Sequence, residues 1–229
     1  MHWKVLEKEI INSAQGYKDS CYFKALEQLK WDGSKQTISR NIGILCEFIE
    51  KCESQTGRID KQKLLDVWLE IVEPLADCVE DVCLERHGML KAVDRKEYGI
   101  QCVGQAIQRM YDELQGVPFI GRTEASRLLH LRFPKLFLMI DEQTIKYWLY
   151  DVRLHRLFGM RESELFDGYG YTFIYLPFIK SHAVDAIMSY ASDKALAINE
   201  AIAQLKNLGG KTRSIARLMD EYYYAITRG

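Results

Sequence analysis

Apolar residues recur along most of this chain at helical spacing. Leu64, Leu65, Trp68, Ile71 and Val72 fall at offsets 0, 1, 4, 7 and 8, which is one stripe on a 3.6-residue helix. Ile198, Ile202 and Leu205 repeat the pattern, as do Ile215, Leu218, Met219 and Tyr222. The same periodicity predicts helices over about 3–15, 19–30, 37–53, 97–114, 122–132, 142–150 and 169–191. Prolines occur at 74, 118, 134 and 177. Pro74 and Pro177 fall inside apolar segments, where the missing N–H and the ring should kink or end a helix. No segment alternates apolar and polar residues as a half-buried strand does, and no internal repeat is visible. The fold class expected is all-α.

Composition bounds this picture. A chain of 229 residues with 48% apolar side chains can build a real core. Thirteen Tyr, nine Phe and four Trp exclude a disordered chain. The longest apolar run, Tyr171 to Ile179, is interrupted by Thr172 and Pro177 and is far short of the ~18 residues of a membrane span. Glu7 arrives before any secretory apolar region. A soluble, cytoplasmic chain with no membrane partner is expected. The six cysteines, at 21, 46, 52, 78, 83 and 102, contain no C-x-x-C pair. Cys78, Cys83 and His87 would share no helix face. They read as reduced apolar fillers, so neither a metal nor a cofactor is expected.

The net charge of −1 excludes a generic basic coat for nucleic acid. The charge is unevenly spread. From Glu73 to Glu97 there are seven acids and four bases, and from Gly121 to Arg156 seven bases and four acids. An anionic partner should meet the stretch from Gln204 to Gly229, with five bases and two acids, or the one from Gly121 to Arg156. That stretch opens on the richest segment of the chain. A helix rich in Gln, Met and Tyr (100–114) leads into Gly116-Val117-Pro118-Phe119-Ile120-Gly121, and a second helix starts near Arg122. This is the pattern of a helix-hairpin-helix, expected over 107–131, with Val117, Phe119 and Ile120 buried. In such a motif small residues let backbone N–H groups reach a phosphate, and the second helix adds its positive end. It grips backbone without reading sequence.

Downstream, Phe133-Pro-Lys-Leu-Phe-Leu-Met-Ile140 leads into Asp141, which opens the next helix. The segment 114–149 resembles the helix-hairpin-helix DNA glycosylase superfamily, to which endonuclease III belongs. There L-P-G-x-G-R-K-T-A is followed by a short apolar stretch and V-D-T-H-V. Here the matching residues are Val117-Pro118-Phe119-Ile120-Gly121-Arg122-Thr123-Glu124-Ala125 and Ile140-Asp141-Glu142-Gln143-Thr144-Ile145. The resemblance implies a two-lobed helical protein with the hairpin at its centre and DNA as partner. It implies Asp141 as the catalytic carboxylate for an oxocarbenium-like sugar. Backbone contacts would come from Gly121, Arg122, Thr123, Arg127 and Lys135. Three departures narrow it. Phe119 stands where the first hairpin Gly would be. The Schiff-base Lys position falls on Thr123, so monofunctional base excision fits and lyase chemistry does not. No Cys follows Cys102, so the family's four-cysteine cluster is absent. The stretch Ala125–Asp141 and Asp220-Glu221-Tyr222 also resemble segments of bacterial proteins without a settled activity.

Each residue carries a plainer reading as well. Asp141 is equally a helix N-cap. His130 reads as a packed, hydrogen-bonded core histidine. Arg122, Arg127, Arg132 and Lys135 contact phosphate or simply form a solvated helix face. Gly209-Gly210-Lys211-Thr212 imitates a P-loop end, but Leu205 stands at its first Gly position, so a Gly C-cap followed by Thr212 as the next N-cap is expected. The alternative to a DNA-glycosylase-like protein, active or inactive, is a non-enzymatic all-α chain that binds nucleic acid or protein.

Overall fold

The computed structural model describes residues 1–14, 20–52, 58–86, 88–208 and 212–228. It is mostly helical. The chain divides into two units. The mid-chain unit holds Lys18–Asp81 and Gly88–Phe133; the terminal unit holds Met1–Tyr17, Val82–His87 and Pro134–Gly229. No helix among the described residues is long and apolar enough to cross a membrane.

The mid-chain unit is built from α2 (Ser20–Gln28), α3 (Lys35–Cys52), α4 (Lys61–Val67), α5 (Glu73–Ala76), α6 (Val103–Gln115) and α7 (Arg122–Arg132). Asp60 caps α4, its side chain accepting from the Lys63 N–H. The stripe predicted from Leu64 to Val72 is buried as expected: Leu64, Trp68 and Val72 are fully enclosed. Its helical path changes just before Pro74. Trp68–Val72 forms a π-helical turn, and α5 restarts with Pro74 in its first turn. Proline cannot donate to the preceding turn and its ring crowds the carbonyl four residues back. Widening that turn relieves the crowding.

Two expectations fail in the next segment. Residues 92–102 form a short antiparallel hairpin, β1 (Ala92–Arg95) and β2 (Ile100–Cys102), and α6 starts at Val103, not near 97. Gly99 takes φ +68 in the turn, a conformation that costs glycine little. The strands have four and three residues. That is too short for alternation to be read against the helical background.

The terminal unit is built from α1 (Trp3–Ala14), α8 (Glu142–Lys146), α9 (Leu154–Leu157), α10 (Leu176–Lys194), α11 (Ile198–Lys206) and α12 (Ile215–Ile226). Trp148, Tyr171, Tyr175, Phe137 and Phe166 fill its core. α1 packs along α12, and Trp3 meets the edge of Tyr190 on α10 at 4.9 Å between ring centres. Pro177 repeats the behaviour of Pro74: Gly170–Tyr175 is π-helical, and Pro177 sits in the first turn of α10. α12 is capped by Ser214, whose hydroxyl oxygen accepts from the Arg217 N–H, so Thr212 is not its cap. Gly209, Gly210 and Lys211 lie outside the described residues.

Candidate functional site

The segment with the strongest sequence signal is a helix, a tight turn and a helix. α6 buries Ala106, Ile107, Met110, Tyr111 and Leu114 on one face. Its end is closed by Gly116, whose N–H reaches the Asp112 and Glu113 carbonyls. Val117 to Ile120 then makes a β-turn closed by the Ile120 N–H donating to the Val117 carbonyl at 3.1 Å. Pro118 holds the second position, and Phe119, the third, takes φ +65. Proline second and positive φ third define a type II turn, whose third position normally holds Gly or Asn. Phe119 therefore adopts the left-handed conformation that a hairpin glycine would supply. Its ring is 58% exposed, against the expectation of burial. Val117 and Ile120 are buried as expected. The turn explains the split: only its first and fourth residues point back at the α6–α7 core.

Gly121 caps α7 without a side chain to offer the first-turn N–H groups. Glu124, buried, reaches back, and its Oε2 accepts from the Gly121 N–H at 2.7 Å. A Cβ at Gly121 would meet that oxygen at 3.0 Å. The Tyr111 hydroxyl donates to the Arg122 carbonyl at 3.2 Å and ties the two helices at the turn. Arg122, Thr123 and Arg127 are half-buried in the first two turns of α7. Four of the predicted backbone-binding residues, Gly121, Arg122, Thr123 and Arg127, thus gather at one helix end. Lys135 does not join them in this unit. It is exposed in the terminal unit, in the turn after Pro134, and its carbonyl accepts the Leu84 N–H.

The rest of α7 is committed to the core. His130 is fully buried, with its Nε2 2.7 Å from the Tyr22 hydroxyl, the packed histidine expected. Arg132 is neither a phosphate contact nor a solvated face. Its side chain is buried, pairs with Glu73 and Glu80 at 3.1 Å each, and lies over the Trp31 and Phe133 rings. Glu73 also accepts from the Trp68 indole.

Asp141 belongs to the terminal unit. It caps α8, Oδ1 accepting from the Thr144 N–H at 2.8 Å, while Oδ2 pairs with the Arg228 guanidinium. Burial alone would raise its pKa. The Arg228 charge and the Thr144 N–H more than offset that and hold it below its ordinary value. The apolar stretch before it is pinned from two sides. The Tyr171 hydroxyl donates to the Leu138 carbonyl at 2.7 Å, and Asp220 Oδ1 accepts from the Met139 N–H at 3.0 Å. Asp220 is buried on α12, and loss of water pushes its pKa well up; Arg217 and the Met139 N–H pull the other way without offsetting it. Beside it Glu221 receives Arg213 at 2.9 Å and Arg217 at 3.3 Å, all three buried. The spacing of Arg217 and Glu221, four apart on a helix, was the sequence signal for this cluster.

No group of residues among those described could hold a metal ion. Cys46 and Cys78 are buried and free, and burial pushes the Cys46 thiol up to about 11. Comparison of the chain with protein-family models, with curated proteins and with solved structures returns no match.

Proposed function

We propose that the chain binds DNA through the phosphate backbone, with α6, the turn and α7 acting as a helix-hairpin-helix. The observation that carries this is Phe119 at φ +65. The segment keeps the backbone of a glycine hairpin where the glycine itself is gone. A non-glycine residue in that conformation costs about 1–2 kcal/mol, so the turn holds a path that glycine would take without strain. Gly121 at the cap of α7, with Arg122 and Arg127 behind it, places backbone donors and cationic side chains at one positive helix end.

Binding is tested by fluorescence anisotropy on duplex DNA over a salt series. Two cationic contacts, from Arg122 and Arg127 in the first two turns of α7, predict a slope of log K against log salt near −2. Arg127→Ala reduces the slope by about 1 and weakens all sequences alike. Undetectable binding at low salt, or an unchanged slope in Arg127→Ala, overturns the reading.

Monofunctional base excision at Asp141 is the second reading. What favours it is a carboxylate held ionised, as stabilisation of a sugar cation requires. What favours the non-enzymatic form is that both oxygens of Asp141 are engaged within its own unit. A panel of damaged duplexes decides between them. Turnover that Asp141→Asn abolishes while folding survives supports the enzyme. No turnover on any duplex, with Asp141→Ala losing about 1 kcal/mol of stability, supports the cap.

A further inference from the structure

Phe119 is anomalous in two independent ways. It occupies a conformation that disfavours every side chain of its size, and it leaves most of its ring in water. The neighbours sharpen the contrast. Val117 and Ile120, two and one residues away, are 1% and 4% exposed. Among the described residues no ring or cation packs on Phe119. The residue strains the backbone there, and glycine would remove the strain. Pro118 on one side and the Ile120–Val117 bond on the other fix the backbone that carries the ring. A rigid, solvent-facing aromatic residue is thus held two positions before the cap of α7 and three before Arg122.

We infer that Phe119 stacks on an unpaired nucleobase, so that this turn prefers single-stranded or base-exposed nucleic acid to intact duplex. The inference rests on the backbone-binding reading above and names its substrate class. The ligand that offers a flat π face and, one sugar away, an anion is a nucleotide within a strand. In a continuous duplex the base faces are already stacked and closed to the ring. In a single strand they are open, and stacking on an aromatic side chain tolerates any base.

The full chain is titrated against three fluorescein-labelled probes of about a dozen nucleotides. One is a thymidine strand, one an abasic strand of equal length and charge, and one a duplex. The thymidine strand is expected to bind about tenfold tighter than the abasic strand. Phe119→Ala and Phe119→Gly both lose that tenfold and bind the abasic strand as the parent does. The two variants separate binding from folding. Phe119→Ala leaves the melting temperature near the parent's, and Phe119→Gly raises it by about 2 °C as the strain is relieved. Equal binding to thymidine and abasic strands, with both variants neutral, overturns the inference and leaves the backbone reading standing. No binding to any probe at low salt overturns both.

Discussion

At the first turn of α7 one carboxylate competes with any anion that approaches. Glu124 accepts the Gly121 N–H and puts a negative charge at the positive end of the helix. Glu124→Gln keeps an oxygen for that N–H and removes the charge. DNA affinity is expected to rise about threefold, with little change in stability. A variant that weakens binding would show that Glu124 orders the turn and does not oppose the ligand. Two aspartates in the terminal unit set opposite dependences on pH. The folded pKa of Asp141 lies below its ordinary 3.8, so its contribution is present above that value and is lost as pH falls through the folded value. Asp220 is the reverse. The folded state holds its proton where the unfolded chain has released it, so stability declines as pH rises above 3.8. Asp220→Asn keeps an acceptor for the Met139 N–H and removes the titration. Thermal unfolding from about pH 4.5 upward should then lose the declining slope that the parent shows.

At the scale of elements, α12 buries three charged side chains, Arg217, Asp220 and Glu221. Glu221 faces two buried guanidiniums, so removing its charge leaves both short of a counter-ion. Glu221→Gln is expected to cost about 3–5 kcal/mol in denaturant unfolding. Helices of this kind show what a sequence makes legible. α6 and α12 place their apolar residues on one stripe, and their existence follows from the period alone. The interruptions at Pro74 and Pro177 were legible too, because proline acts through its own ring. The π-turn at Tyr147–Asp151 contains no such residue and was not. Nor was the burial of Arg132 at the end of α7. Its partners, Glu73 and Glu80, lie 52 or more positions away in the chain, beyond any local pattern. Of the candidate site, the turn residues were legible from Gly, Pro and the following helix. The exposure of Phe119 was not, since it depends on which turn position points inward.

At the scale of the molecule, the terminal unit is assembled from distant parts of the chain. α1 packs along α12, while the mid-chain unit occupies the sequence between. Trp3 and Leu6 are buried in that packing. A fragment spanning 134–229 lacks those side chains and is expected to show little cooperative unfolding by circular dichroism. Adding a peptide of residues 1–17 in trans should restore a cooperative transition, and a fragment that melts cooperatively alone would remove α1 from the core.

The same threading has a consequence during synthesis. α1 leaves the ribosome before its partner exists, and α12 follows only about 200 residues later. At about 5–20 residues per second the wait is on the order of tens of seconds. Through that interval the mid-chain unit can close on itself, whereas Trp3 and Leu6 remain without their cover. The first helix of this chain thus stays open to chaperones and proteases while the protein is being made, although its Trp3 and Leu6 are enclosed once it is finished.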